Sequence, residues 1–140
     1  MAEPSASRSE LDARRLAIVL EHVAAENDRD VDRALRTFAH PRYEIVPTGL
    51  VYDGEDAVRR MLLDQWSAMP PVTYSAVAVY FGDDGVIVET RTAGTRGDGA
   101  AIDMTSVNLF GFRDAELVLE RCYFDQVTVA QQLGYSSQAR

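Results

Sequence analysis

A single cysteine, Cys122, stands among the 140 residues, which excludes an intramolecular disulfide and points to a reducing, cytoplasmic setting. No apolar run approaches the roughly 20 residues of a spanning helix, and the first residues, MAEPSASRSE, lack the apolar centre of a signal peptide. Basic residues are in deficit, 14 Lys and Arg against 22 Asp and Glu, a net charge of -8. Phosphate binding depends on clustered cations, so nucleic acid is not an expected partner, and an anionic membrane would repel the chain. No His, Cys and carboxylate spacing suggests a metal site. What is present is ordinary: 46% hydrophobic and 26% charged residues suit one globular domain with one core.

Residues 1–9 are small, polar and broken by Pro4, which predicts an unstructured arm, and residues 135–140 read as a tail; the domain is expected over 10–134. Ser9 and Asp12 have capping-box spacing, and Leu11, Leu16, Val19 and Val23 recur at helical intervals, predicting a helix over 10–26. Asp30 can cap a second helix with Val31, Ala34, Leu35 and Phe38 as its apolar side. Residues 42–47 read as a short strand and 48–54 as a loop. Val58, Met61, Leu62, Trp66 and Met69 stripe a third helix that Pro70 and Pro71 stop. Four β-rich runs follow, over 72–81, 86–96, 100–112 and 117–125, separated by the turn sequences GDDG, RGDG and RDAE. Asp125 is placed to cap a closing helix over 126–133, with Gly134 as its stop. The sum is an α+β domain, three N-terminal helices packed on a curved antiparallel sheet.

The last run, LVLERCYFD, breaks the usual alternation. Leu117, Leu119, Arg121, Tyr123 and Asp125 fall on one face and Val118, Glu120, Cys122 and Phe124 on the other, so both faces carry ionisable groups. A strand lining a cavity has this pattern.

The runs IVLEHVAAENDRDVDRALRTF, YDGEDAVRRML and VNLFGFRDAELVLERCYFD followed by QQLG resemble the nuclear transport factor 2 superfamily, in its SnoaL-like branch of polyketide cyclases, ketosteroid isomerases and limonene epoxide hydrolases. The resemblance covers about residues 17–134. It implies a cone-shaped barrel around a mostly apolar pocket, commonly a homodimer, working on small apolar molecules without a cofactor. It also implies where functional groups should fall. His22 takes the place of the isomerases' oxyanion tyrosine, Asn108 that of their protonated aspartate, and Val46, before Pro47, that of their base. Against the epoxide hydrolases, Arg91 and Tyr43 match an arginine and a tyrosine, while the partnering aspartates fall at Ala93 and Cys122 and an asparagine at Ile45. Against the cyclases, the aspartate and histidine fall at Cys122 and Asn108. The carboxylate that each reaction needs is missing from its usual position.

Strand alternation then gathers Glu89 and Arg91 with Met104, Asn108, Phe110 and Phe112, and with Glu120, Cys122 and Phe124, on one pocket face; Trp66 is a further substrate contact. Glu89, Arg91 and Glu120 read either as an acid/base set or as an ion-pair network on an outer or dimer-facing surface. His22 is either the missing acid or base, or a hydrogen-bonded histidine beside the helix stripe. Cys122 is either a reactive thiol or a small core residue. Asn108 has a hydrogen-bond duty toward a ligand or the backbone, and Tyr43 can point its hydroxyl into the cavity. Two functions follow. One is an isomerase, cyclase or hydrolase acting on a polyketide-, terpenoid- or steroid-like molecule with His22, Asn108, Arg91, Glu89 and Glu120 as its chemistry. The other is a ligand-binding or dimerisation module that kept the fold and lost the carboxylates.

Overall fold

The computed structural model describes residues 7–134; residues 1–6 of the arm expected over 1–9 and the tail over 135–140 lie outside the described residues, whereas Ser7, Arg8 and Ser9 begin the first helix rather than belong to an arm. The first helix, α1 (Arg8–Asn27), starts two residues before its expected position because Ser7, not Ser9, caps it. The Ser7 hydroxyl accepts from the Glu10 backbone N–H, and the Glu10 carboxylate accepts from the Ser7 backbone N–H. Its buried stripe is Arg15, Val19, His22 and Ala25. Asp30 caps α2 (Val31–Arg36), α3 spans Glu55–Ala68, and α4 (Gln126–Leu133) is capped by Asp125 and stopped by Gly134 at φ 76°. These three features follow the sequence reading.

The strands are β1 (Arg42–Ile45), β2 (Leu50–Asp53), β3 (Val72–Phe81), β4 (Gly85–Thr95), β5 (Ala101–Arg113) and β6 (Glu116–Tyr123), ordered β2-β1-β6-β5-β4-β3. The last four form the expected meander. Two points differ from the expectation. Residues 50–53, read as loop, form β2: Gly49, at φ 73°, turns the chain back so that Tyr52 pairs with Tyr43. The sheet is also mixed and open rather than an antiparallel barrel, because β1 runs parallel to β6 while β2 and β3 remain as edges. That parallel pair matters for the site, since it sets Tyr43 opposite Glu120 and Ile45 opposite Cys122.

A register shift at Gly111/Phe112 explains the double-faced last strand. Gly111 pairs with Leu119 and Phe112 with Leu117, so the phase of β6 changes between those residues. Leu117 can then be fully buried while Glu120 and Cys122 also face inward. The core packs Val19, Ala25, Leu35 and Phe38 of the first helices and their turn against Val58, Leu62 and Trp66 of α3, and both against Val86, Val88, Phe110, Phe112 and Leu117 of the sheet.

Close backbone approach at the start of β3 allows one residue only. A Cβ at Gly94 would lie 2.6 Å from the Pro71 carbonyl oxygen and 3.1 Å from Val72 Cγ1. Gly94→Ala should therefore cost about 1–3 kcal/mol in urea unfolding, because the main chain must move; a cost near zero would show that the strands separate freely there.

Candidate active site

Residues from α1, α3, α4 and all six strands line one cavity of about 1010 Å3. Most of its wall is apolar: Ile45, Met61, Met104, Phe110 and Phe124 are representative. Polar groups converge where α1 meets β1, β5 and β6.

The centre of that cluster is His22, fully buried one layer behind the wall. Its Nδ1 lies 2.7 Å from the Thr37 hydroxyl, which itself donates to the Ala34 carbonyl at 2.6 Å. The hydroxyl hydrogen is therefore committed, and Nδ1 must be the donor. On the other side Nε2 lies 2.7 Å from the Tyr43 hydroxyl, which donates to Glu26 Oε1 at 2.7 Å. The Tyr43 oxygen then accepts from Nε2 as well. With hydrogen on both nitrogens, His22 is an imidazolium.

Two carboxylates surround it: Nε2 is 3.4 Å from Glu26 Oε1 and 3.1 Å from Glu120 Oε2. Because the Nε2 hydrogen points at Tyr43, Glu120 Oε2 gains charge attraction but is a buried oxygen without a hydrogen bond. Asn108 holds the other oxygen, Oε1, at 3.1 Å, and reaches Cys122 Sγ at 3.4 Å. Thr90 and Ser106 both donate to Asn108 Oδ1, which fixes the amide's orientation.

Charge follows from this layout. Burial alone would depress His22, yet the Glu120 and Glu26 carboxylates outweigh it and push the imidazole up to about 10. Burial works to raise Glu26, and the His22 charge with the Tyr43 hydroxyl reverses that, holding Glu26 below the ordinary carboxylate value. Glu120 goes the other way: burial first, then the Glu26 charge, raise it against the pull of His22. Burial followed by the same two carboxylates also lifts the Cys122 thiol, the opposite of what a nucleophilic thiolate needs. A pair of acids pushed apart in this way is suited to separate base and acid roles.

His22, Glu26 and Glu120 place one donor atom each within 4.8 Å of one another, the composition of a metal-ligand set. The Tyr43 hydroxyl, 2.7 Å from both Nε2 and Glu26 Oε1, already stands among them, and Nε2 has no lone pair to offer. As built, the cluster shares protons.

The structure brings together His22, Asn108, Glu120, Tyr43, Met104, Phe110, Cys122 and Phe124 at or just behind the cavity wall. It separates Glu89 and Arg91 from them. On β4 the inward residues are Val86, Val88, Thr90 and Thr92, so Glu89 and Arg91 lie on the opposite face, where Arg91 pairs with Asp103 at 2.8 Å. A phase error of one residue exchanges every side chain between faces. Two apolar contacts are also corrected: Phe112 is core, packed under the Arg15 guanidinium, and Trp66 is core behind α3. Val46 is exposed and uses its N–H on the Cys122 carbonyl. Glu26, Tyr74 and Thr90 were not among the sequence candidates. Glu26 had a signal, since it stands four residues after His22 and so on the same helix face.

The chain belongs to the SnoaL-like domain family, whose pattern matches residues 19–120. Its fold is that of the nuclear transport factor 2-like superfamily, in which solved structures of several kinds superpose on it. A protein described as a SnoaL-like polyketide cyclase from Jannaschia sp. CCS1 is 18% identical at a TM-score of 0.78, over 94% of this chain and 99% of that one. A ketosteroid isomerase-like protein from Catenulispora acidiphila DSM 44928, in complex with trimethylamine, is 19% identical at 0.73, over 84% and 92%. SalBIII, an epoxide hydrolase/cyclase-like enzyme in pyran ring formation in the polyether salinomycin, is 21% identical at 0.70, over 84% and 95%. At these identities the likeness concerns the fold. No curated protein sequence is similar enough to count as a relative.

Proposed function

We propose that this protein is a cofactor-independent acid/base enzyme of the isomerase, cyclase or hydrolase type, acting on a small, largely apolar polyketide-, terpenoid- or steroid-like molecule, with Glu26 as its base. One observation carries the reading: Glu26, which lines the cavity, is kept ionised beside the His22 imidazolium, with Oε1 taken by Tyr43 and Oε2 bonded to no described residue. The carboxylate absent from the positions of Val46 and Cys122 is thus supplied from α1. Glu120, raised by burial and by the Glu26 charge, lies on the other side of His22 and leaves Glu26 as the ionised member of the pair. Incubating the protein with apolar ketones and epoxides in deuterium oxide tests this by mass spectrometry: exchange at carbon or product formation supports it. Binding of those compounds without either outcome would instead favour a ligand-binding module.

We further propose a cytoplasmic homodimer formed through the outer sheet face, where Tyr80 pairs with Ile87 and Val107 with Tyr123 and all four are exposed. Among the described residues no helix is long and apolar enough to cross a membrane. Light scattering at micromolar concentration should give twice the chain mass; a monomer mass would contradict the dimer.

A further inference from the structure

We propose that Tyr74 is the hydrogen-bond donor that receives the ligand's oxygen, and that the substrates of this cavity are therefore apolar carbonyl compounds. The groups around Glu26 are nearly all committed to one another. Both Asn108 amide hydrogens and its oxygen are used within the cluster, and the Tyr43 hydrogen goes to Glu26. Tyr74 differs: it lines the cavity, and its hydroxyl bonds to no described residue.

Its placement is fixed from the backbone. Tyr74 sits on the edge strand β3, with N–H and C=O turned away from β4 and otherwise unpaired. Asn27 takes both, accepting from the Tyr74 N–H at 2.8 Å and donating to its carbonyl at 3.0 Å, as a further strand would. Asn27 follows Glu26 in α1, so a single bidentate clamp ties the phenol to the base. The other unpartnered phenol of the lining, Tyr52, enters from β2, the opposite edge of the sheet. Burial and the nearby Glu26 and Glu120 charges keep the Tyr74 phenol protonated.

One free acceptor and one free donor fit a particular step. Glu26 Oε2 takes a proton from the carbon beside a carbonyl, the C–H electron pair moves into the C–C bond, and the carbonyl pair moves onto oxygen, where Tyr74 O–H holds it. Return of the proton from Glu26 to the same or the conjugated carbon completes an exchange or a double-bond shift. Turnover by this route rests on Glu26 as the base proposed above; recognition of the carbonyl does not.

The test is therefore one of binding. The probes are 2-acetylnaphthalene and its oxygen-free counterpart 2-isopropylnaphthalene, titrated into the wild type and Tyr74→Phe. The variant should bind the ketone about tenfold more weakly, the loss of one hydrogen bond, and the hydrocarbon unchanged. The carbonyl stretching band of the bound ketone should shift to lower frequency in the wild type and return in the variant. Equal affinities for the ketone in both proteins, equal losses for both probes, or an unshifted band would each overturn the assignment. Unchanged circular dichroism verifies that the variant is folded. A ketone-specific loss without any exchange at carbon would leave Tyr74 in place and count against Glu26.

Discussion

Glu26→Gln is expected to slow exchange at the carbon beside a bound ketone by about 10²–10⁴-fold, the usual worth of a positioned base. The substitution keeps the side chain's shape and an oxygen for Tyr43 to donate to, so the cavity should survive it. What it removes is the carboxylate at the polar end of the wall, held ionised beside His22 and with Oε2 bonded to no described residue. Glu120 cannot take over, because it is 4% exposed, held by Asn108 and raised by its surroundings. Arg91→Ala is the matched control. That residue stands on the far face of β4 in an exposed pair with Asp103, and its loss should leave the rate within about twofold and the stability nearly unchanged. A Glu26→Gln rate equal to the wild type would remove Glu26 from the chemistry.

His22→Asn should be the most damaging single change to stability. It deletes the cation between Glu26 and Glu120 and leaves two carboxylates facing each other in a buried site, a loss of about 3–5 kcal/mol. The pH dependence has a definite sign. His22 titrates near 6.5 when unfolded and is pushed up to about 10 in the fold, so the native state holds the extra proton. Its stabilisation is complete below about pH 6.5 and is lost as pH rises through about 10. Glu120, raised above 4.5, works in the same direction from lower pH, whereas Glu26, held below 4.5, contributes stability that is lost as pH falls. Tyr43 and Cys122, the other titratable groups packed on the cluster, are both raised and stay neutral in this window. Urea unfolding between pH 6.5 and 10 should therefore show wild-type stability declining and the variant's curve flatter. Parallel curves would mean that His22 is not charged in the fold.

The helices and the meander were readable because their signals are local: Asp30 and Asp125 as caps, Gly134 as a left-handed stop, and proline after α3. Tyr43, Asn108 and Cys122 were found through the family likeness and do face the cavity. The losses have physical causes. β4 carries apolar residues on both faces, Val86 and Val88 against Ile87 and Ala93, so alternation alone does not choose a phase. The choice rested on Thr90 and Thr92 against Glu89 and Arg91, and hydroxyls are far cheaper to bury than charges. The phase change in β6 depends on the bulge opposite Gly111, a pairing between strands that no single run reveals. β2 exists only because β1 is there to pair with it. Glu26 closes the helix expected over 10–26, and its spacing from His22 places both on one side.

The most direct test of the charged cluster is nitrogen NMR of His22 in uniformly labelled protein between pH 6 and 11. Both ring nitrogens should carry hydrogen through pH 8, and the ring should lose its proton only near pH 10. A neutral ring with one bare nitrogen at pH 8, or a titration near 6.5, would contradict it.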